Sequence, residues 1–325
     1  MKVLVSGGAG YIGSHAVVQL LDQGYEVVVV DNLSTGHKWA VDNRAEFYEC
    51  DIRNQNALEK VFKVENIQVV MQFAADIVVA ESESDPLKYY DNNVYGTISL
   101  LEVMKKNQVK NIIFSSTAAV YGNTEKVPVE ETDPLDPISP YGSTKAFVER
   151  ILEDCRKAYG FNYCVFRYFN VSGAHEKYPI GQNVKKNTAL IPIILEVAAG
   201  EREYISVYGD DYATKDGTGI RDFIHVVDLV DAHILGIKKL IKNESAIYNL
   251  GNGQGFSVME MIEAARRVTG KPISIKVGMR REGDIAISIA SSEKAKVELD
   301  WKPRYPKVEK IIETSWNYKM KKNHD

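Results

Sequence analysis

Tyr141 and Lys145 stand four residues apart in the run Ser139-Pro140-Tyr141-Gly142-Ser143-Thr144-Lys145. Ser139 can cap a helix and Pro140 suits its first turn, so the phenol and the ammonium fall on one face. A nearby cation lowers a phenol's pKa, which makes Tyr141 a candidate base and Lys145 the group that tunes it. The spacing recurs at Tyr318 and Lys322, where it reads as a surface coincidence. Only Tyr141 follows an apolar run ending in Ser115-Ser116-Thr117, whose hydroxyls could share a proton with it and with a substrate hydroxyl.

A second constellation opens the chain. The apolar run Val3-Leu4-Val5 leads into Gly7, Gly10 and Gly13, spaced three apart, with a helix expected over His15–Asp22. Such glycines allow a sharp turn and a close approach of backbone to a pyrophosphate, whose charge faces the helix's free N–H groups. The next apolar run ends at Asp31, 18 residues after Gly13, where a carboxylate can accept bonds from two ribose hydroxyls and repel a 2′-phosphate. Neither Asn32 nor Leu33 offers a cation, so the pattern reads as an NAD site, against a bare structural turn.

Strand-like runs at Val3–Val5, Glu26–Val30, Glu46–Cys50, Val69–Phe73, Asn111–Ser115 and Tyr163–Tyr168 alternate with amphipathic segments. That alternation predicts an α/β fold, a Rossmann-like doubly wound parallel sheet whose ligands gather beyond the carboxyl ends of its strands. The alternation weakens past residue 170. A cofactor domain over residues 1–170, with later segments around 221–250 crossing back, and a smaller C-terminal α/β substrate domain over 171–325 are expected. Helices are expected at Ala189–Ala199, Val258–Thr269 and near Ser292–Glu298, a loop at Gly209–Gly219, and a strand at Ile273–Val277.

Composition narrows the class. A net charge of −4 gives no electrostatic reason to expect nucleic acid, and Lys319, Lys321 and Lys322 read as a solvated tail. Cys50, Cys155 and Cys164 lack Cys-x-x-Cys spacing and the six histidines are scattered, so no metal site or disulfide framework is expected and the cytoplasm is the expected compartment. Residues 3–21 lack charge, but their glycines, Ser6, Ser14 and Gln19 make a membrane span unexpected.

Together with Tyr89-Tyr90-Asp91-Asn92-Asn93, Val120-Tyr121-Gly122, Arg167-Tyr168-Phe169-Asn170, Asp216 through Val226 and Arg280-Arg281-Glu282-Gly283-Asp284, these motifs make the chain resemble the extended short-chain dehydrogenases/reductases, and along its whole length the UDP-glucose 4-epimerase family within them. The resemblance implies a retained NAD, a homodimer, and a UDP-sugar whose C4 is oxidised to a ketone and reduced again on its other face. It implies Tyr141 as base, with Thr117 and Lys145 assisting. It implies cofactor contacts from Tyr11, Ile12, Asp31, Asn32, Asp51, Ile52, Phe73, Ala74, Ala75, Asn92, Ser115, Tyr141, Lys145 and Phe169 beside the glycines. Substrate contacts are implied for Thr117, Asn170, Asn187, Arg221, Arg281, Asp284 and Ser288. Two arginines suit a diphosphate, although Arg221-Asp222 and Arg281/Asp284 also read as surface ion pairs. His225, on an apolar strand, reads as a satisfied core histidine. Ser288 is small where a bulky tyrosine accompanies restriction to UDP-glucose and UDP-galactose, so N-acetylated sugars are expected to fit.

The chain departs from that family at Gln72, where histidine is common, and at Asp76 and Ile77, the latter where relatives often carry lysine or a small polar residue. Ala118-Ala119 after Thr117 argue against a 4,6-dehydratase, which places Asp-Glu there. A UDP-glucuronate 4-epimerase and a non-enzymatic NAD-sensing regulator are the remaining alternatives, the latter having no need of an intact Thr117/Tyr141/Lys145 set.

Overall fold

The structure is a computed structural model and describes residues 1–124, 126–184, 187–281 and 284–322, with the backbone alone for Lys322. Of the segments singled out above, Glu282, Gly283 and the side chain of Lys322 lie outside the described residues.

Six strands form in chain order: β1 (Lys2–Ser6), β2 (Glu26–Asp31), β3 (Glu46–Glu49), β4 (Val69–Gln72), β5 (Asn111–Ser115) and β6 (Asn162–Tyr168). The chain then leaves their sheet as β7 (Asn170–Ser172), β8 (Ile205–Tyr208) and β9 (Ile220–His225), returns as β10 (Ala246–Leu250), and leaves again through β11 (Gly255–Ser257), β12 (Ile275–Gly278) and β13 (Ile287–Ser288). The main sheet is parallel throughout, in the order β10-β6-β5-β4-β1-β2-β3. Its direction of winding reverses between β1 and β4, and a doubly wound sheet opens a crevice at that point.

The strands read as continuous apolar runs because both faces are covered. One face, with Val3, Val5, Val29, Met71 and Phe166, packs under the helices Tyr11–Asp22 and Val226–Ile241. The other, with Leu4, Val28, Val70, Ile112 and Val165, packs under Gln55–Val64, Gly96–Lys106 and Pro140–Tyr159. The smaller part gathers β8 and β12 with helices Leu190–Ala198, Val258–Thr269 and Val308–Lys322 around Ile194, Met261 and Ile311. Beside it, β9 pairs with β7, β11 and β13.

Helix Val258–Thr269 has the expected bounds: Ser257 and Glu260 make a reciprocal capping box and Gly270 closes the helix with a positive φ. Two expectations are corrected. The first helix starts at Tyr11, four residues before the expected His15. The lysines near the C-terminus are no tail: Val308–Lys322 is a helix, Lys319 pairs with Glu201 at 2.5 Å, and the Tyr318 ring packs against Gly181.

Candidate active site

The first turn of helix Tyr11–Asp22 carries neither a capping side chain nor an acid, which leaves its N–H groups available to an anion. Gly7 has φ +75° and a Cβ there would stand 2.6 Å from the Ala74 nitrogen, while a Cβ on Gly13 would strike the Gly7 carbonyl. The loop therefore exists in this form only with glycine at both positions. Asp31 closes it from β2: one carboxylate oxygen accepts from the Ala9 N–H at 2.9 Å and the other from the Leu33 N–H at 2.8 Å. Lone pairs remain for ribose hydroxyls. Burial pushes its carboxyl up from the usual range and the two N–H bonds work against that.

A continuous cleft of about 380 Å³ runs along the carboxyl ends of the strands. The expected cofactor residues Gly7, Gly10, Tyr11, Ile12, Gly13, Asp31, Asn32, Ile52, Phe73, Ala74, Ala75, Asn92 and Phe169 line it, together with Thr117, Tyr141 and Asn170. Asp51 stands behind the wall, accepting from the Asn32 amide at 2.9 Å and paired with Arg53 at 2.7 Å. A cradle free of Cβ atoms, an uncapped helix end and a carboxylate at the end of β2 fit an adenine dinucleotide.

At the other end of the cleft, Thr117 and Tyr141 share the wall, and the Thr117 hydroxyl accepts from the Ala119 N–H at 3.2 Å. The Lys145 ammonium, one turn on, lies 6.0 Å from the Tyr141 ring centroid and donates to the Ser115 carbonyl at 2.9 Å. The three residues meet as their spacing predicts, but the electrostatics differ. Burial pushes the Tyr141 phenol up to about 12, against the bond from Thr117, and pushes Lys145 down to about 8, against the attraction of Glu149. Desolvation of the phenol prevails in the protein alone.

The expectation of three hydroxyls around Tyr141 is also corrected. Ser115 gives its hydroxyl to His233 Nε2 at 3.1 Å, the imidazole's Nδ1–H being committed to the Leu229 carbonyl. Ser116 gives its own to Glu149 at 2.5 Å. Only Thr117 serves the site, and Ser115 contributes a carbonyl.

The expected substrate residues are less gathered. Asn170 lines the cleft and donates to the Asp222 carbonyl at 2.9 Å. The Asn187 amide donates to Glu196 at 2.7 Å beside an adjoining cavity of about 270 Å³ that shares Gln182 with the cleft, whose wall here is Thr188 and Ala189. The pairings weighed for the arginines change as well. Arg221 reaches Asp284, at 3.8 Å, while the Asp222 carboxylate is buried and accepts from the N–H groups of Asn252, Gly253 and Ala290. Arg281 lies 3.8 Å over the Tyr208 ring. Ser288 stands opposite Arg221 in the pairing of β13 with β9. His225 is a core group, accepting from the Val227 N–H, donating to Thr314 at 3.0 Å and stacked on Tyr305.

Sequence reasoning missed Cys50, Val78, Tyr168 and Gln182 in the cleft wall; an apolar strand end carries no chemical signature. Gln72 ties Ser6 of β1 to the Ala74 carbonyl, at 3.2 Å, so the unusual amide holds the turn in front of the glycine loop.

A model of the NAD dependent epimerase/dehydratase family matches residues 3–251. The chain belongs to that family. It is 53% identical to the UDP-glucose 4-epimerase of Lacticaseibacillus casei over 98% of its length and 96% of that protein's. A crystal structure of a UDP-glucose 4-epimerase, 51% identical, superposes with a TM-score of 0.97 over 99% of this chain and 98% of the other. A third relative, the UDP-glucose-4-epimerase of Stenotrophomonas maltophila, 40% identical, was solved with bound NAD and formylated UDP-arabinopyranose and superposes with a TM-score of 0.96 over 100% and 99%. The fold and the enzyme class of this family member, an isomerase dependent on NAD, follow from whole-length similarity at this level.

Proposed function

We propose that the protein interconverts UDP-glucose and UDP-galactose at C4, and the corresponding N-acetylated pair, with Tyr141 as base. The observation that carries this reading is the juxtaposition of Thr117, Tyr141 and Lys145 at one end of a cleft whose other end is a dinucleotide cradle. Bound NAD supplies an acceptor for the C4 hydrogen as hydride and later returns it.

Tyr141, as phenolate, takes the sugar's O4 proton, and Thr117 keeps that hydroxyl and the phenol in one hydrogen-bonded set. The Lys145 ammonium, anchored on the Ser115 carbonyl, favours the phenolate. Gly10, Tyr11 and Ile12 present the N–H end of their helix to the cofactor's diphosphate, and Asp31 and Asn32 take the adenosine ribose. Asp51, Ile52, Phe73, Ala74, Ala75, Asn92 and Phe169 complete that part, and Asn170, Arg221, Arg281 and Asp284 hold the UDP. The first sheet thus serves as the cofactor part and the segments around β9 as the sugar part.

Homodimer formation is supported by apolar side chains left on adjoining helices: Leu87 is 78% exposed, Phe147 52% and Tyr95 49%, and Phe147 meets Tyr90. Sedimentation at about twice 36.4 kDa tests it. The function is tested on purified protein: it should carry NAD or NADH and convert UDP-galactose to UDP-glucose without added cofactor. Cofactor without turnover would leave the NAD-sensing regulator as the reading.

A further inference from the structure

Resting on that reading of the cleft, we infer that Asp76 sets the redox poise of the bound nicotinamide, its negative charge favouring the oxidised cation over the neutral reduced ring. Asp76 lines the cleft in the turn after β4. Its backbone is fixed at both ends of one amide, its N–H donating to Asn93 Oδ1 at 2.8 Å and its carbonyl accepting from Asn93 Nδ2 at 3.0 Å. The same Asn93 amide donates to Thr144 at 3.2 Å, and Ser82, within the following short helix Val79–Ser84, accepts from the Tyr141 N–H at 3.2 Å. The turn carrying Asp76 is therefore pinned to the helix that carries Tyr141 and Lys145.

The charges facing Asp76 do not cancel it. Lys88 is 3.8 Å from its carboxylate and 2.9 Å from that of Glu81, so one ammonium serves two carboxylates. Arg53, the next cation within reach, is held by Asp51 and Asp91 at 2.7 and 2.5 Å. Ile77, next in the chain, offers no charge. Asp76, Glu81 and Lys88 thus leave one net negative charge at the cleft wall, and Asp51, Asp91 and Arg53 leave another behind it.

Oxidation of the sugar moves a hydride, two electrons with one proton, onto the cofactor ring and the hydroxyl proton onto Tyr141. The ring passes from cationic to neutral while the pyrophosphate keeps its charge. Repulsion between Asp76 and the pyrophosphate weakens both redox forms alike, and only attraction to the ring distinguishes them.

The test is a spectroelectrochemical titration of the holoenzyme, reading reduced-nicotinamide fluorescence against a soluble mediator. Asp76→Asn should raise the bound cofactor's midpoint by about 30 mV, a tenfold gain in the reduced form for a two-electron couple, and Asp76→Glu should leave it near wild type. If Asp76→Asn sheds its cofactor, the ratio of dissociation constants for added NADH and NAD should fall by the same factor. An unchanged midpoint or ratio overturns the inference, as does an equal shift in Asp76→Glu. Wild-type protein without NAD or without UDP-sugar turnover overturns the functional reading instead.

Discussion

Thr117 and Tyr141 both line the cleft, and in the proposed reaction the proton's path depends on one phenol. Tyr141→Phe removes the acceptor and leaves the ring's packing; UDP-sugar turnover should fall by about 10²–10⁴-fold while NAD stays bound, as steady-state rates and cofactor extraction would show. Ser288 carries the second residue-scale prediction. Its strand, β13, is two residues long and lies against Arg221, so a larger side chain there has little strand to carry it aside. Ser288→Tyr should abolish turnover of the N-acetylated pair and spare UDP-glucose and UDP-galactose, since a filled pocket vetoes the larger sugar outright. Comparing kcat/KM for both pairs in both proteins decides it; equal losses would refute the idea.

At the scale of the element, helix Pro140–Tyr159 presents Tyr141, Lys145 and Glu149 at successive turns of one face. Glu149 pairs with Arg167 of β6 at 2.6 Å with both side chains 4% exposed, and Arg167 continues to the Tyr121 hydroxyl and the Glu131 carbonyl. Removing one partner of such a pair strands the other charge: Glu149→Gln should lower the unfolding free energy by about 3–5 kcal/mol. It should also move the alkaline limit of activity to lower pH, because Glu149 is the attraction that opposes the burial-driven fall of Lys145. Denaturant midpoints and a pH–rate profile would show both.

This helix is legible in the sequence because Ser139 and Pro140 mark its start, and Ser139 does accept from the Gly142 N–H. The first helix was read short because its opening turn, Tyr11-Ile12-Gly13-Ser14, has no capping side chain and no acid. The feature that frees its N–H groups for a ligand is the one that hid its start. Asn187 shows the limit of residue type: an amide's type says nothing of the partner it takes up, and Glu196, nine residues on, supplies one. Arg221 and Asp284 meet only because β9 and β13 pair, and β13 offers two residues of pattern.

At the scale of the whole molecule, the core holds neutral histidines. Burial pushes His15 and His225 down to about 3 and His233 down to about 4. Folded values below the unfolded one mean that their stability is intact above about pH 6.5 and drains as the unfolded chain takes up protons below it. Asp222 and Asp228, both pushed up to about 6 by burial, act in the opposite sense: their contribution is full at low pH and lost on rising through about 6. Each histidine held neutral in this way makes stability fall toward acid below about pH 6.5, and Asp222 and Asp228 offset part of that fall. His233→Gln should flatten it, as denaturant midpoints at several pH values would register; an unaltered slope would count against neutral burial of this ring.

One residue, Phe169, separates β6 in the first sheet from β7 in the second, and after two further strands the chain comes back to place β10 at the edge of the first. The two sheets are therefore stitched by the same polypeptide several times over. A recombination event that exchanged everything after residue 170 would carry away the outermost strand of the cofactor sheet and the helix Val226–Ile241 beneath it. Diversification of such a scaffold is accordingly confined to point changes and loop segments, because inheritance of a foreign second half as a block would break the half it joins.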